Sequence, residues 1–175
     1  MMRTMRTTRL GWILVAAMAC ASCAGPRAAR RTSPLVGKSV DLTAQDLGGH
    51  EVRVPSGAAR IAVVDFWATW CEPCREQLPF LARLAAEYRL RGLEVYAVSF
   101  DEDRAAVEEF LARTPVDLAV LWDKGGAALA EKLEVTRLPT TVLIDGTGVV
   151  RSVHLGFDRA EGAALDREVR KLLAE

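Results

Sequence analysis

Two cysteines spaced three residues apart, Cys71 and Cys74, are the residues of this chain best suited to chemistry. They follow an apolar run typical of a buried strand, and a helical pattern begins directly after them. This order places Cys71 at a helix N-terminus, where backbone N–H groups and the helix dipole favour an anion. Because the thiolate is the reactive form of cysteine, the arrangement predicts a nucleophile. Cys74 follows one turn later, so the pair predicts reversible thiol–disulfide exchange.

Two other interpretations of this pair are a zinc site and a permanent structural disulfide. Zinc takes about four protein ligands in structural sites, but the histidines of this chain, His50 and His154, are far apart in sequence. Covalent haem would need a histidine after Cys74, where the chain has Arg75. A structural disulfide over so short a loop constrains little of the unfolded chain. The residues therefore predict no metal and no cofactor besides the redox-active pair.

The N-terminus has the pattern of a secretory signal. Arg3, Arg6 and Arg9 precede an apolar run over 10–19, and small residues follow. The run is short for a bilayer span, which needs about 20 residues, and its flanks match a signal peptide. An uncleaved membrane anchor is the alternative. We expect a signal over 1–23, a flexible linker over 24–35 and one domain over 36–175, working outside the cytoplasm in the periplasm.

The signal region offers two ways of being processed. Ordinary cleavage sites end at Ala19 and Ala21, whereas Cys20 and Cys23 are candidates for lipidation as in bacterial lipoproteins, with Cys23 preferred. These cysteines also have CxxC spacing, but no strand precedes them and no helix follows. With 23 basic and 23 acidic residues, the composition does not suggest a nucleic-acid partner, while a lipid anchor to the membrane remains open.

The hydrophobic pattern predicts strands that first alternate with helices and then form a hairpin before a last helix. This order favours an α/β fold with a central mixed sheet covered by helices on both faces. The strands are predicted at 38–42, 51–54, 61–67, 93–100, 118–122, 140–144 and 149–155, and the helices at 72–91, 103–112, 126–133 and 159–173. Asp101 and its charged neighbours are interpreted as a solvated helix start, and His154 as a surface residue.

From about residue 36 to its end, the chain resembles the TlpA/ResA-like extracytoplasmic thiol–disulfide oxidoreductases of the thioredoxin superfamily. The resemblance rests on the segments 65–74 (DFWATWCEPC) and 137–145 (RLPTTVLID) and on Pro79, eight residues after Cys71. It implies the thioredoxin fold with an N-terminal β-hairpin extension, and the helix near 103–113 resembles the family's insertion. It also implies that Pro139 is cis and faces the disulfide, with Leu138 offering a backbone edge to substrate.

The resemblance assigns roles to several residues around the pair. It implies that the exposed Cys71 attacks and that Cys74 resolves the mixed disulfide. Asp65 would relay a proton to or from Cys74, or else be an ordinary strand-end aspartate. The family usually has Glu where this chain has Gln77, and many members have Asn where it has Asp65. Neither departure removes the core chemistry, but with them the resemblance determines neither the redox potential nor the choice of partner.

The residues beside the cysteines are expected to tune the site. Between them lie Glu72 and Pro73, a Glu-Pro dipeptide that resembles cytochrome-maturation reductases. Glu72 is expected to raise the pKa of the Cys71 thiol and favour reduction, to stabilise the helix dipole as a first-turn acid, or both. Trp67 and Trp70 are expected to pack around the site or simply fill the core.

The first functional hypothesis is a reductase of protein disulfides, with apocytochrome c as a candidate substrate and a membrane thiol protein as electron donor. The alternatives are a thiol peroxidase and a non-catalytic metal-chaperone or binding module on the same fold. A peroxidase would carry Thr three residues before the reactive cysteine, where this chain has Ala68. A copper-carrying relative would need a distal histidine, and His154 is the one candidate.

Overall fold

The computed structural model describes residues 33–175. The expected signal and the lipidation candidates Cys20 and Cys23 lie outside this part, and so does most of the expected linker. The described residues form one seven-stranded mixed sheet with four α-helices, in the order β2-β1-β5-β4-β3-β6-β7. The strands are β1 Leu42–Asp46, β2 Glu51–Val54, β3 Ile61–Trp67, β4 Leu93–Ser99, β5 Ala119–Trp122, β6 Thr140–Asp145 and β7 Val150–Leu155; the helices are α1 Glu72–Tyr88, α2 Arg104–Arg113, α3 Leu129–Lys132 and α4 Arg159–Leu172. This confirms the predicted mixed sheet.

The central strand β3 carries the active-site segment. It pairs with β4 in parallel and with β6 antiparallel, and all its residues are buried. An apolar strand covered on both faces is expected at the centre of such a sheet. Because β3 ends at Trp67 and α1 begins at Glu72, the cysteines lie where the strand passes into the helix.

Helices cover both faces of the sheet, as predicted. The face that includes Val63 and Leu143 packs against α1 and α4, and the buried residues of α2 join the cluster beside α1. The opposite face, with Val64 and Ile144, packs against the short α3 and the N-terminal hairpin. Leu35 is buried in this second cluster. Among the described residues, no helix is long and apolar enough to cross a bilayer.

The first strand was predicted too early in the chain. It runs over Leu42–Asp46 rather than 38–42, because it must continue to the turn at 47–49 to pair with β2. The hairpin closes where the amide N–H of Asp46 donates to the carbonyl of His50 (2.9 Å). Residues 38–40, which were predicted to start the strand, instead lie beside the turn between β6 and β7. There the amide N–H of Val40 donates to the carbonyl of Gly148 (2.8 Å). The hairpin extension itself is confirmed, and β1 joins it to β5.

His154 was wrongly interpreted as a surface residue. Its side chain is 3% exposed on β7, with Nδ1 2.6 Å from a carboxylate oxygen of Glu161 and Nε2 2.9 Å from one of Glu168. Burial disfavours the charged imidazole, but hydrogen bonds to Glu168 and Glu161 outweigh this and raise the pKa of His154. The two acids are seven residues apart on α4 and share one helix face, so the helix brings both over the strand.

Candidate active site

Cys71 and Cys74 form a disulfide with a Cα–Cα distance of 5.3 Å. Cys71 is the N-cap residue of α1, and its carbonyl accepts from the amide N–H of Arg75 (3.1 Å). Cys71 is 6% exposed, whereas Cys74 is fully buried. Of the two cysteines, only Cys71 therefore keeps some exposed surface, and it lies at the positive end of a 17-residue helix.

A buried polar chain runs from α1 to the central strand. Gln77 Nε2 donates to Thr141 Oγ1 (2.8 Å), and Thr141 Oγ1 donates to Asp65 Oδ1 (2.7 Å). Asp65 is fully buried, and this burial raises its pKa to about 7, although the hydrogen bond from Thr141 lowers it. Two oxygens of the chain, Asp65 Oδ2 and Gln77 Oε1, are buried without a hydrogen-bond partner among the described residues.

The position of Cys74 on α1 indicates that it is near this polar chain. It precedes Gln77 by three residues, so both side chains occupy one face of α1. Cys74 also packs in the same apolar cluster as Ala97, the β4 residue paired directly with Asp65. Helix and strand together therefore bring the Asp65 carboxyl and the buried cysteine to the same region beneath α1.

The loop before Cys71 is held by Asp101, which follows the end of β4. Its carboxylate accepts from Thr69 N (3.0 Å), Thr69 Oγ1 (2.6 Å) and Ser99 Oγ (2.8 Å). Its carbonyl accepts from Trp122 Nε1 (2.7 Å). Asp101 is 5% exposed, so its interpretation as part of a solvated helix start was wrong. The helix does begin as predicted, with Asp103 as its N-cap.

Replacing Asp101 by alanine should destabilise the oxidised protein and slow its exchange reactions. The change leaves the part-buried Thr69 amide and hydroxyl and the buried Ser99 hydroxyl without their acceptor, at a cost of about 3 kcal/mol in the free energy of unfolding. We expect this in urea unfolding, together with slower reduction of the disulfide by dithiothreitol. Asp103→Ala is the matched control: it removes an exposed cap, costs about 1 kcal/mol and should leave the reduction rate unchanged. Equal reduction rates in the two variants would contradict the role of Asp101.

The two tryptophans before the cysteines have different environments. Trp67 is fully buried against Phe110, with 5.4 Å between ring centroids. Trp70 is 71% exposed, so the alternative that it fills the core was wrong, while a role at the site stays a prediction. Its neighbours explain the difference: Thr69 is tied inward to Asp101 and Cys71 begins α1, which leaves Trp70 on the outside of the turn.

The Leu138–Pro139 bond is cis. Pro139 is buried, whereas Leu138 is partly exposed and packs against the cluster that contains both cysteines. The carbonyl of Pro139 accepts from Gly156 N (2.8 Å), which ties this loop to the end of β7. Leu138 therefore contacts the apolar cluster that contains the disulfide, and the expectation that Pro139 faces the disulfide stays a prediction.

The remaining expected site residues lie at the start of α1. Glu72 and Pro73 are exposed in its first turn. Among the described residues, no cluster of histidine, cysteine and acidic side chains could hold a metal ion. His154, considered for a copper site, is instead engaged by two carboxylates of α4.

Sequence reasoning missed Thr141 and Asp101. The signal for Thr141 is a hydroxyl inside an otherwise apolar strand, directly opposite Asp65 in the β3–β6 register. The signal for Asp101 is an acid just past the end of a central parallel strand. Gln77 was noticed only as a departure from the family pattern, and its buried contact with Thr141 depends on how α1 lies over the sheet.

Comparisons with known proteins agree with this geometry. The redoxin family model matches residues 35–172. The chain is 33% identical over 127 residues to the thiol-disulfide oxidoreductase ResA of Geobacillus kaustophilus, covering 72% of each chain. It is 31% identical over 112 residues to ResA of Bacillus subtilis, covering 64% of this chain and 62% of the relative. A solved structure described as a thiol:disulfide interchange protein DsbE from Chlorobium tepidum matches with a TM-score of 0.73 at 31% identity, over 79% of this chain and 96% of that one.

Proposed function

Because this chain belongs to the redoxin family, and within it to the ResA-like thiol-disulfide oxidoreductases, we propose that it reduces disulfides of other proteins through Cys71 and Cys74. The observation that supports this most is the disulfide at the start of α1, with the first cysteine 6% exposed and the second fully buried. In such a pair only Cys71 can form a mixed disulfide with the substrate, so Cys71 acts first and Cys74 acts second.

In the first step, the Cys71 thiolate of the reduced protein attacks a substrate disulfide. A bond forms between Cys71 Sγ and one substrate sulfur, and the other substrate sulfur leaves as a thiolate. The N-terminus of α1 stabilises the attacking thiolate through its free N–H groups and its dipole. Attack at Cys71 is favoured because Cys74 is fully buried.

In the second step, Cys74 resolves the mixed disulfide. Its thiol must first lose a proton, and we assign the buried carboxyl of Asp65 as the group that accepts it. The Cys74 thiolate then attacks Cys71 Sγ, the Cys71–Cys74 bond forms and the second substrate sulfur leaves as a thiolate. With a pKa raised to about 7, Asp65 can both accept and return a proton near neutral pH, as an acid–base group should.

Asp65 lowers the stability of the fold, which supports a functional reason for its presence. In the unfolded chain it ionises near 3.8, whereas in the folded protein it remains neutral up to about pH 7. The folded state therefore binds the extra proton, and stability falls as the pH rises from about 4 to about 7. The cost above pH 7 is about 4 kcal/mol. An asparagine at position 65 would avoid this cost in stability, because its amide does not ionise.

We further propose that the substrate is a protein segment in extended form. The cis-Pro loop would pair its backbone at Leu138 with the segment, and the exposed Trp70 would cover the segment's apolar side chains. Apocytochrome c is a candidate substrate, because relatives at about 30% identity carry the name ResA. We place the reaction outside the cytoplasm, in the periplasm, with a thiol protein of the membrane returning electrons and lipidation at Cys23 or Cys20 as a possible anchor.

The reducing direction is supported by the charge beside the nucleophile. Glu72 is the residue after Cys71, in the first turn of α1. Its carboxylate opposes a neighbouring thiolate and so favours the oxidised protein, which makes the reduced protein a stronger reductant. The same carboxylate also stabilises the N-terminus of α1.

The midpoint potential of the Cys71–Cys74 couple tests the proposed direction. We expect a value near that of thioredoxin, about −270 mV, rather than that of DsbA, about −120 mV. The measurement is equilibration of the purified domain with glutathione or dithiothreitol redox buffers, followed by alkylation and mass analysis. Glu72→Gln should make the potential less negative, while Glu76→Gln, an exposed acid one turn later, is the matched control. A midpoint near that of DsbA would replace the reductase proposal with an oxidase.

A further inference from the structure

The Asp65 carboxyl is held at one oxygen only. Oδ1 accepts from the Thr141 hydroxyl, while Oδ2 is equally buried and has no partner among the described residues. The two edges of this carboxyl are therefore not equivalent. A proton bound to Asp65 belongs on Oδ2, because Oδ1 is already occupied as an acceptor.

Gln77 determines which way the Thr141 hydroxyl points. A threonine hydroxyl has one proton to donate and two lone pairs that accept. The Gln77 amide N–H₂ donates to Thr141 Oγ1 at 2.8 Å, so the hydroxyl proton is directed toward Asp65. All three side chains are at most 1% exposed, and no solvent competes for these hydrogen bonds.

Gln77 also connects this arrangement to the buried cysteine. It lies one turn after Cys74 on the same face of α1, so the helix that carries Cys74 carries the other end of the hydrogen-bond chain. Any shift of α1 over β3 would move Cys74 and the support of Asp65 together.

We infer that Gln77 and Thr141 are positioning residues that hold Asp65 by Oδ1 and so reserve Oδ2 for the proton that it exchanges with Cys74. The inference rests on the proposed function, since it assigns a route to the resolving step. The step is a proton transfer alone: the Cys74 S–H bond breaks, an O–H bond forms at Oδ2, and the Cys74 thiolate keeps the electron pair.

Other titratable groups face this part of the site. Cys71 and Cys74 lie at the start of α1, and the pairing of Thr141 with His154 places that imidazole next along the same face of the sheet. His154 is already engaged by Glu161 and Glu168 of α4. The neighbours of Asp65 on this face of β3 and β4, which are Val63, Trp67 and Ala97, carry no ionisable group.

Thr141→Val tests the inference, because it keeps the shape and branching of the side chain and removes only the hydroxyl. The hydrogen bond from Thr141 lowers the pKa of Asp65, so its loss should move the titration of this carboxyl upward by about one pH unit. The measurement is the ¹³C shift of the Asp65 carboxyl across pH in the oxidised protein. In parallel, the pH profile of disulfide reduction by dithiothreitol should move in the same direction.

Three further variants separate a positioning role from a general loss of packing. Thr141→Ser restores the hydroxyl and should return the titration to its wild-type position. Gln77→Met removes the donor that orients Thr141 and should give a smaller upward shift. Thr140→Val is the matched control, because Thr140 is also buried but lies on the opposite face of β6, where its hydroxyl donates to the carbonyl of Arg137. This variant should leave the Asp65 titration unchanged.

The double variant Thr141→Val with Asp65→Asn completes the test. Its pH profile of disulfide reduction by dithiothreitol is compared with that of Asp65→Asn alone. With no carboxyl present, the valine substitution should no longer shift the profile. An unchanged Asp65 titration in Thr141→Val, or an equal profile shift in the Asp65→Asn background, would overturn the inference. The carboxyl titration requires no activity toward proteins. A wild-type protein that fails to reduce protein disulfides would contradict the proposed function, and the titration of Asp65 would still test the positioning role.

Discussion

Replacing Cys71 by alanine should reduce the turnover of insulin disulfides with dithiothreitol to the rate of dithiothreitol alone. Cys71 is the only one of the two cysteines with exposed surface, and it lies where the α1 N-terminus stabilises a thiolate. Cys74 cannot substitute for it, because a large substrate disulfide cannot reach a fully buried sulfur. The measurement is the turbidity of precipitating insulin chains, followed beside wild-type protein.

The stability of this variant needs its own control. Loss of the disulfide removes a constraint on a very short loop, worth about 2 kcal/mol in the chain-entropy estimate. Reduced wild-type protein loses the same constraint, so it is the correct reference for urea unfolding. Residual activity of Cys71→Ala well above the dithiothreitol background would show that the attacking group is not Cys71.

Replacing Cys74 by serine should convert the protein into a trap for its substrate. Cys71 would still attack, but no second thiol would follow, so the mixed disulfide would accumulate. We expect a one-to-one covalent adduct with a model disulfide protein, visible by mass analysis without reductant and released by dithiothreitol. Turnover of insulin should fall close to background, while adduct formation should proceed near the wild-type rate of the first step.

Two comparisons make the trapping experiment decisive. The double variant Cys71→Ala with Cys74→Ser should form no adduct, because both sulfurs are absent. Wild-type protein should form only a transient adduct, because Cys74 resolves it. If Cys74→Ser turned over insulin like wild type, the resolving sulfur would have to come from a second molecule, and the proposed two-step mechanism would be wrong.

The sequence predicted the elements around the site closely where local pattern and tertiary packing agree. β3 has the predicted limits Ile61–Trp67, because a continuous apolar run has no competing environment. The helix after the cysteines ends earlier than predicted: α1 stops at Tyr88, and a short 3₁₀ turn leads to Gly92, whose φ of 95° closes the segment. Such boundaries depend on the last hydrogen bonds of the helix, which hydrophobic periodicity does not resolve.

The predictions that failed concern residues whose environment comes from other elements of the fold. The first strand moved toward the turn because β2 and β5 selected its register. His154 is buried because α4 lays Glu161 and Glu168 over it. Asp101 is buried because the loop before Cys71 returns to the end of β4 and supplies its donors. For His154 and Asp101 the residue type permitted exposure, and packing against another element decided otherwise.

The chemistry of this protein was determined by the sequence alone, because a strand, two cysteines and a helix within one short segment already specify a thiolate at a helix N-terminus. The proton-handling side of the site was decided by tertiary structure. Asp65, Gln77 and Thr141 are separated by up to 76 residues, and no local pattern indicates that they meet. They form one hydrogen-bond chain because β6 pairs beside β3 while α1 covers both, and burial there raises the pKa of the Asp65 carboxyl to about 7.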